Sequence, residues 1–398
     1  MVPFTKLCIV GFLAFLSYTL ARFPVIPLYA SSLKLSPEQI GLVVGASTIT
    51  GVFFKLPSGA LSDLLGRRRM MLAGVCFFAF TPFFYFLAKN AMALFVIRMI
   101  HGFATALFVP VVSAIISDLA TQKNRGQLLS TYSSANMIGR TLGPFIGGWL
   151  LFWGGFQLPF LASGVAGIMA LVLALAWPKE NVELQMSNAK LQKAKFYNGL
   201  KEILSNKAIL LVSTVECIQY LTNGALECFL PIFAKNTVHL LEWQIGMLFG
   251  IQVIATMISK PFLGMLSDQF GRMPQIIFGL FFGGITYLLI PHFHSFLWLL
   301  ILVAIYGLTI AIVTSATSAF VTDLANKENY GSAHGVFGTI MDIGHASGPI
   351  LGGLLIAKLN YNLLFLIFGI LLVTFGIIFW FFVGSLVKNL KSTLLSLI

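Results

Sequence analysis

Apolar stretches of about twenty residues, the length an α-helix needs to cross hydrocarbon, follow one another along nearly the whole chain. They predict membrane-spanning helices over 6–30, 38–61, 70–88, 91–116, 128–152, 156–177, 208–233, 243–265, 274–291, 295–321, 332–357 and 360–384. Short polar turns separate them, and one longer polar stretch, 178–207, follows the sixth. The expected fold class is therefore an all-α membrane protein with twelve transmembrane helices. Its helices form two six-helix bundles, 1–177 and 208–398, joined by a cytoplasmic linker at 178–207. The linker mixes lysines with Glu183, Glu202 and the apolar Leu191, Phe196, Leu200 and Ile203, a pattern that suits an amphipathic helix on the membrane surface. The first apolar run has only Lys6 ahead of it and no small-residue cleavage site, so it reads as a retained helix.

The second set of six repeats the first at a fixed spacing. Gly59-Ala-Leu-Ser-Asp63-Leu-Leu-Gly66-Arg67 returns 205 positions later as Gly264-Met-Leu-Ser-Asp268-Gln-Phe-Gly271-Arg272. The same offset carries Gln39-Ile40-Gly41 onto Gln244-Ile245-Gly246, Lys55 onto Lys260, and Asp118-Leu119-Ala120 onto Asp323-Leu324-Ala325. It also carries Gly143-Pro144 onto Gly348-Pro349 and Gly147-Gly148 onto Gly352-Gly353. One unit used twice in so apolar a chain predicts two bundles flanking a shared central path.

Composition agrees with the membrane reading. Hydrophobic residues make up 58% and charged residues 10%, whereas a soluble globule carries about a quarter charged residues. With the N-terminus cytoplasmic, inner loops and tails hold 16 Lys and Arg and outer loops hold only Lys34, Lys89, Lys235 and Lys358. This positive-inside bias predicts a multi-pass protein of the plasma (inner) membrane with both termini cytoplasmic. It assigns the net charge of +12 to topology and anionic lipid rather than to nucleic acid. Cys8, Cys76, Cys217 and Cys228 lie inside apolar spans without metal-ligand spacing, so neither a metal site nor a disulfide is expected.

Several motifs carry chemistry. In the turn after the second span, Gly59 and Gly66 permit close approach while Asp63, Arg67 and Arg68 set an acid against bases at the water interface. These residues resemble the loop signature of the major facilitator superfamily. The match departs at Leu64, where the family carries a basic residue, and the second copy has Gln269 there and no second Arg after Arg272. The resemblance covers essentially the whole chain and implies the major facilitator fold, with Asp63, Arg67, Arg68, Asp268 and Arg272 forming a cytoplasmic gate. In the fourth span, Arg98 and Gly102 resemble the family's helix-4 motif, associated with proton coupling in exporters, with His101 in place of the usual Gln. In the fifth, Gly139, Gly143, Pro144, Gly147 and Gly148 resemble the antiporter motif of the drug:proton antiporter branch, with Ser130 where its first Gly would stand. The eleventh span repeats the string at Gly344, Gly348 and Pro349 and does have Gly335 at the corresponding place. Independently of any family, glycines spaced by four allow close helix packing.

Ionisable residues inside the spans are the candidates for function, since each costs roughly 2.5–3.5 kcal/mol in hydrocarbon unless it faces a cavity or a partner. Arg22, Lys55, Arg98, Arg140 and Lys260 are the substrate-cavity candidates. Glu216, Asp342, Glu227 and His101 are the proton-coupling candidates, Glu216 first, because a carboxyl in a partly dry cavity can exchange a proton near neutral pH. Lys55 and Asp342 reach similar depths, and the resemblance implies that the second span lies beside the eleventh, so the two are expected to pair across the halves; Glu227 is expected to pair with Arg22 or Arg98. The excess of bases favours anionic or zwitterionic solutes. The function the resemblance implies is secondary active transport of a small organic solute by alternating access, and the antiporter-like string in the fifth span points to proton-coupled efflux of amphipathic or drug-like compounds. The alternative is import or exchange of small organic anions or zwitterions, and a non-transporting receptor ranks lower. No phosphate-binding loop, His-Glu-x-x-His helix or serine nucleophile elbow is present, so an enzyme is not expected. The expected partners are a small-molecule substrate, protons and the lipid bilayer, without cofactor, metal or nucleic acid, in a monomer that already holds both halves.

Overall fold

The computed structural model describes residues 2–121, 124–177, 201–326 and 329–395. The first half contains α1 (Val2–Arg22), α2 (Val25–Ser32), α3 (Pro37–Leu65), α4 (Arg67–Phe84), α5 (Ala91–Leu119), α6 (Arg125–Gly154) and α7 (Gln157–Leu175). The second half contains α8 (Lys207–Asn236), α9 (Glu242–Phe270), α10 (Arg272–Leu289), α11 (Phe296–Leu324), α12 (Tyr330–Lys358) and α13 (Tyr361–Leu395). No strand occurs among the described residues. The surface helix expected within the linker falls, over 178–200, outside the described residues.

Local sequence sets the helix ends. Ser36 caps α3 by accepting from the Gln39 backbone N–H, while the Gln39 side chain accepts from the Ser36 N–H at 3.0 Å. Gln244 repeats the second of these bonds at the start of α9, accepting from Leu241 N–H at 2.8 Å. Gly66 and Gly271, with φ of 92° and 91°, make the sharp turns from α3 to α4 and from α9 to α10, a backbone region that side chains disfavour.

Ten helical units are long and apolar enough to cross a membrane, with α1 and α2 together forming one of them, Phe4–Ser32. An eleventh is α3, whose arms Pro37–Lys55 and Pro57–Leu65 meet at 50°, where Pro57 removes a backbone donor. The twelfth, α6, has the length, at 30 residues, but its first half is interrupted by Ser130, Thr131, Ser133, Ser134, Asn136 and Arg140. A span that polar has to line something wet. The last span is also longer than the apolar run alone suggests, since α13 continues to Leu395.

The halves are built alike. α1 packs on α6 as α8 packs on α12, α3 on α5 as α9 on α11, and α4 on α7 as α10 on α13. Two extensive contacts join the halves, α3 with α12 and α6 with α9, and these too are equivalent under the repeat; smaller ones bring α2 and α3 to α8. The end that carries the α3–α4 and α9–α10 turns is here called the latch end.

At the far end the halves are sealed. A methyl group on Gly148 of α6 would stand 2.7 Å from the Glu242 carbonyl oxygen and 2.8 Å from Gly246 Cα of α9. One on Gly353 of α12 would stand 2.4 Å from the Pro37 carbonyl oxygen of α3. Gly41 and Gly246 meet the Pro349 and Pro144 carbonyl oxygens at 2.2 and 2.5 Å in the same sense. Trp149 lies on Trp243, with ring centroids 5.7 Å apart, and Phe23 stacks on Phe249 at 6.0 Å. One apolar core accordingly runs from the second half into the far end of the first, through Ile40, Val43, Tyr85 and Phe160. Towards the latch end the first half has its own core, around Leu7, Phe78, Phe108 and Val112. There Gly126, Gly264, Gly331 and Gly338 have no neighbouring atom within 4 Å of where a side chain would begin. The halves meet closely at the far end, and nothing packs against these four glycines at the latch end.

This geometry makes Gly353→Val a wedge in the far-end seal. Overpacking of 1–3 kcal/mol shifts a two-state equilibrium roughly 5–150-fold towards a state open at that end. Spin labels at Lys34→Cys and Lys358→Cys, both exposed there, should gain a longer-distance component in a cysteine-free background. An unchanged distance distribution would contradict the seal.

Candidate functional site

Between the halves lies a cavity of about 400 Å³, in the lower part of the range for small-molecule sites. Its wall is built from repeat-equivalent positions. Phe15 and Tyr220, Tyr18 and Asn223, Arg22 and Glu227, Ser47 and Gln252, and Thr48 and Val253 all line it as 205-residue mates. So do Gly51 and Thr256, Thr105 and Ile310, Met137 and Asp342, and Arg140 and His345. None of these nine pairs keeps the same residue, although the turns and packing glycines of the two halves match closely. The lining is where the copies have diverged.

Two charged bridges cross the cavity from one half to the other. Lys55 Nζ, at the bend of α3, donates to Asp342 Oδ2 of α12 in an ion pair. Arg22, the last residue of α1, donates through a terminal guanidinium nitrogen to His345 Nδ1 at 3.2 Å. His345 Nε2 lies 2.9 Å from Glu227 Oε2 of α8, and Arg22 itself is 3.8 Å from the same oxygen. A guanidinium can only donate, so Nδ1 accepts and Nε2–H donates to Glu227. The ring thus relays between an arginine and a carboxylate in opposite halves. Asn223 donates to the other Glu227 oxygen at 2.9 Å and accepts from Gln252 Nε2 at 2.8 Å. Both cavity carboxylates are therefore engaged by protein donors.

Arg140 is different. It lines the cavity from α6 and is exposed to it, and its guanidinium carbon lies 4.2 Å from the centre of the Phe15 ring, within cation–π range. Among the described residues it makes neither a hydrogen bond nor an ion pair. Lys260, the repeat mate of Lys55, also lacks an ion pair among the described residues, because the position equivalent to Asp342 is Met137. Glu216 and Lys260 act on each other electrostatically. Glu216 is only 2% exposed and accepts from Thr317 Oγ1 of α11 at 2.7 Å.

Arg98 and His101 lie inside the first half, off the cavity wall. Arg98 is 1% exposed and donates from α5 to the Val43 and Val44 carbonyls of α3 at 3.3 and 3.0 Å, and to Ser47. His101 Nδ1 meets Tyr85 Oη at 2.9 Å, and the ring lies 5.0 Å from that of Tyr18. Gly102 brings the two helices close, with the Ser47 carbonyl oxygen 2.4 Å from where a side chain would start. Arg98 and Gly102 hold α5 against α3, and His101 ties it to Tyr18 of α1 and to Tyr85. They also shape the cavity at second hand, because Tyr18 and Ser47, which touch this cluster, line it.

At the latch end, Arg67 bridges Asp63, at 3.0 Å, and Asp118 of α5. Arg272 likewise bridges Asp268 and, at 3.0 Å, Asp323 of α11. Both clusters stay within their own half. Asp118 and Asp323 complete them; they were visible in the sequence only as one more repeated triplet. Arg68 reaches to α7, donating to the Trp177 and Leu175 carbonyls at 2.8 and 3.0 Å and so capping that helix end.

The glycine strings divide their work in the same way in both halves. Gly139, Gly143 and Gly147 seat α6 on the backbone or side chains of Phe12, Thr19 and Leu20 of α1. Gly344 and Gly348 seat α12 on Cys217 and Leu221 of α8. The last glycine of each string, Gly148 or Gly353, turns to the opposite half.

A duplicated bundle of twelve helices, with a solvent-lined, charge-bridged cavity between its halves, defines a multi-pass membrane protein of the transporter class. The Major Facilitator Superfamily sequence profile matches residues 7–241 and 212–393, and the chain belongs to that family. It is 26% identical over 359 residues to Multidrug resistance protein 1 of Bacillus subtilis (strain 168), covering 89% of this chain and 90% of that protein. It is 27% identical over 354 residues to the Multi-drug resistance efflux pump PmrA homolog of Lactococcus lactis subsp. lactis (strain IL1403), covering 85% and 84%. Among solved structures, the nucleoside transporter NupG superimposes with a TM-score of 0.74 at 17% identity over 96% of this chain and 98% of that one. A POT family transporter in complex with 5-aminolevulinic acid gives 0.78 at 14% over 96% of each. At such identities the structural likeness speaks for the fold alone.

The position of Arg98 makes it a brace. Arg98→Gln should lower stability by about 2–4 kcal/mol through lost charge-assisted hydrogen bonds, read as a lower unfolding midpoint in detergent. Ligand affinity of the folded fraction should be unchanged. A large loss of affinity with normal stability would place Arg98 in the binding site instead.

Proposed function

We propose that this protein is a proton-coupled exporter of amphipathic, drug-like compounds, working by alternating access. The observation that carries the mechanism is the pair of charged bridges across the cavity. Lys55–Asp342 and Arg22–His345–Glu227 each tie one half to the other, so separating the halves around the cavity must break or rehydrate them. A proton on Asp342 or Glu227 would cancel the charge that Lys55 or Arg22 faces and lower the cost of parting. Proton uptake and conformational change then draw on the same groups. Relatives named as a multidrug resistance protein and a multi-drug resistance efflux pump homolog, similar over more than four fifths of the chain, support the direction.

In this reading both termini and the latch end are cytoplasmic, the membrane is the plasma (inner) membrane, and the state described is open inwards. The positive-inside bias of the loops supports that orientation. The unit boundaries follow as 1–177 and 208–398 around a cytoplasmic linker at 178–207, and one chain holds the whole path. The latch clusters Asp63–Arg67–Asp118 and Asp268–Arg272–Asp323 keep each half rigid at the cytoplasmic gate while the halves rock. Asp342 and Glu227 are the leading proton carriers, because they line the cavity and bridge the halves. Glu216 is a second-rank carrier reached through Thr317 and Lys260, and His101 modulates from within its buried cluster.

Proteoliposomes holding a trapped pH-sensitive dye test this. Lys55→Gln and Asp342→Asn should each slow substrate-driven proton movement about tenfold or more, equivalent to ~1.4 kcal/mol of barrier, and the swapped pair Lys55→Asp with Asp342→Lys should partly restore it. Full rates in both single variants would end the gate assignment. A wild-type protein that moves substrate with no dye signal would end proton coupling.

A further inference from the structure

The net charge of the cavity wall is not balanced, and the imbalance sits at one residue. Arg22 and Lys55 are answered by Glu227 and Asp342 across the halves. Arg140 has no acid to answer it. It is exposed to the cavity from a membrane-spanning helix, where an unneutralised charge is a functional site by default. Its electrostatic neighbours are two further cations, Arg22 and Lys260, and the tyrosines Tyr18, Tyr132 and Tyr220. Both cavity carboxylates already accept from protein donors, so a cationic ligand would have to compete with Lys55, Asn223 and His345 for them. Phe15 lies against Arg140, and the cavity wall carries further apolar and aromatic side chains at Met137, Tyr220 and Phe249.

We propose that Arg140 is the substrate-anchoring residue of the cavity and that the substrates are amphipathic monoanions, an aromatic or aliphatic body carrying one carboxylate or sulfonate. The planar guanidinium offers a carboxylate paired N–H donors. Phe15 supports its face through the cation–π contact, leaving the edge of the fork to the ligand. A single anion brings the lining close to neutrality, so the loaded protein can cross the intermediate between its open states without carrying an unpaired charge through the bilayer. This assignment rests on the exporter reading and narrows it from drug-like compounds in general to acids.

Matched naphthalene derivatives test it on the full-length protein in neutral detergent. The probes are 2-naphthoate, naphthalene-2-sulfonate, 2-naphthamide and a 2-naphthyl trimethylammonium salt, titrated in a thermal-stability assay. The two anions should stabilise the wild type with midpoints at least about tenfold below those of the amide and the ammonium salt, the scale expected of a charge-assisted hydrogen-bonded pair. Arg140→Gln should abolish that difference, and Arg140→Lys should keep part of it. Preference for the ammonium salt, an anion effect that survives in Arg140→Gln, or no stabilisation by either anion up to millimolar concentration would each overturn the proposal. Phosphatidylglycerol acting with the same dependence on Arg140 would support the anion site and name a lipid headgroup as its source. Transport of a cationic dye by the wild type in proteoliposomes would leave export standing while removing the anion assignment, so the two readings fail separately.

Discussion

Charge burial is the constraint from which the rest of this structure follows. A base or acid within a membrane-spanning helix is tolerated only against water or a partner, and the chain carries five bases and three acids in its spans. Arg98 is satisfied by carbonyls of the neighbouring helix, which fixes α5 against α3. Lys55 with Asp342, and Arg22 with His345 and Glu227, are joined across the gap between halves. That choice has a mechanical consequence. A bond inside a half adds rigidity, whereas a bond between halves is strained or broken whenever the halves move, and its cost becomes part of the conformational equilibrium.

The glycines supply the complementary element. At the far end, backbone meets backbone through Gly41, Gly148, Gly246 and Gly353, with no side chain between the helices. Such contacts gain from dispersion and shape rather than from a hydrophobic drive, which lipid tails do not provide. They separate as flat faces without leaving a buried polar group unpaired. A seal of small residues at one end and charged bridges at the cavity therefore let the halves rock about the middle. The latch clusters at the other end stay internal to each half.

Much of this was legible in the sequence, and the limit is physical. The twelve spans and the duplication follow from run length and constant offset, and the Lys55–Asp342 pair from equal depth together with the helix adjacency that the family resemblance implies. Depth along a helix can be read at 1.5 Å per residue. The direction in which a residue faces is harder to read when the whole helix surface is apolar, because no polar stripe marks the outside. That is why Arg98 could not be separated from the cavity cations. It is also why His345, Asn223 and Gln252 were not singled out as neighbours of Glu227, although each is a polar residue inside an apolar span. Asp118 and Asp323 were missed for another reason: each lies 51 residues from the arginine it holds, and only the fold brings α5 to α4 and α11 to α10.

The same geometry explains why the repeat had to break where it did. Arg22 and Glu227 are mates under the 205-residue offset, and they face each other across the boundary at 3.8 Å. Residues beside a pseudo-twofold axis meet their own copies, so a faithful duplication would set Arg against Arg or Glu against Glu there, and like charges at that distance repel. Divergence at this pair turns a repulsion into a bridge. Away from the axis a copied pair need not conflict, and two Lys–Asp bridges were geometrically open, at Lys55–Asp342 and at Lys260 with position 137. Only the first is made, since position 137 is Met. The missing acid leaves Lys260 without a bridge, and position 137 stands three residues along α6 from Arg140. The asymmetry of the bridges thus lies beside the unbalanced charge of the cavity.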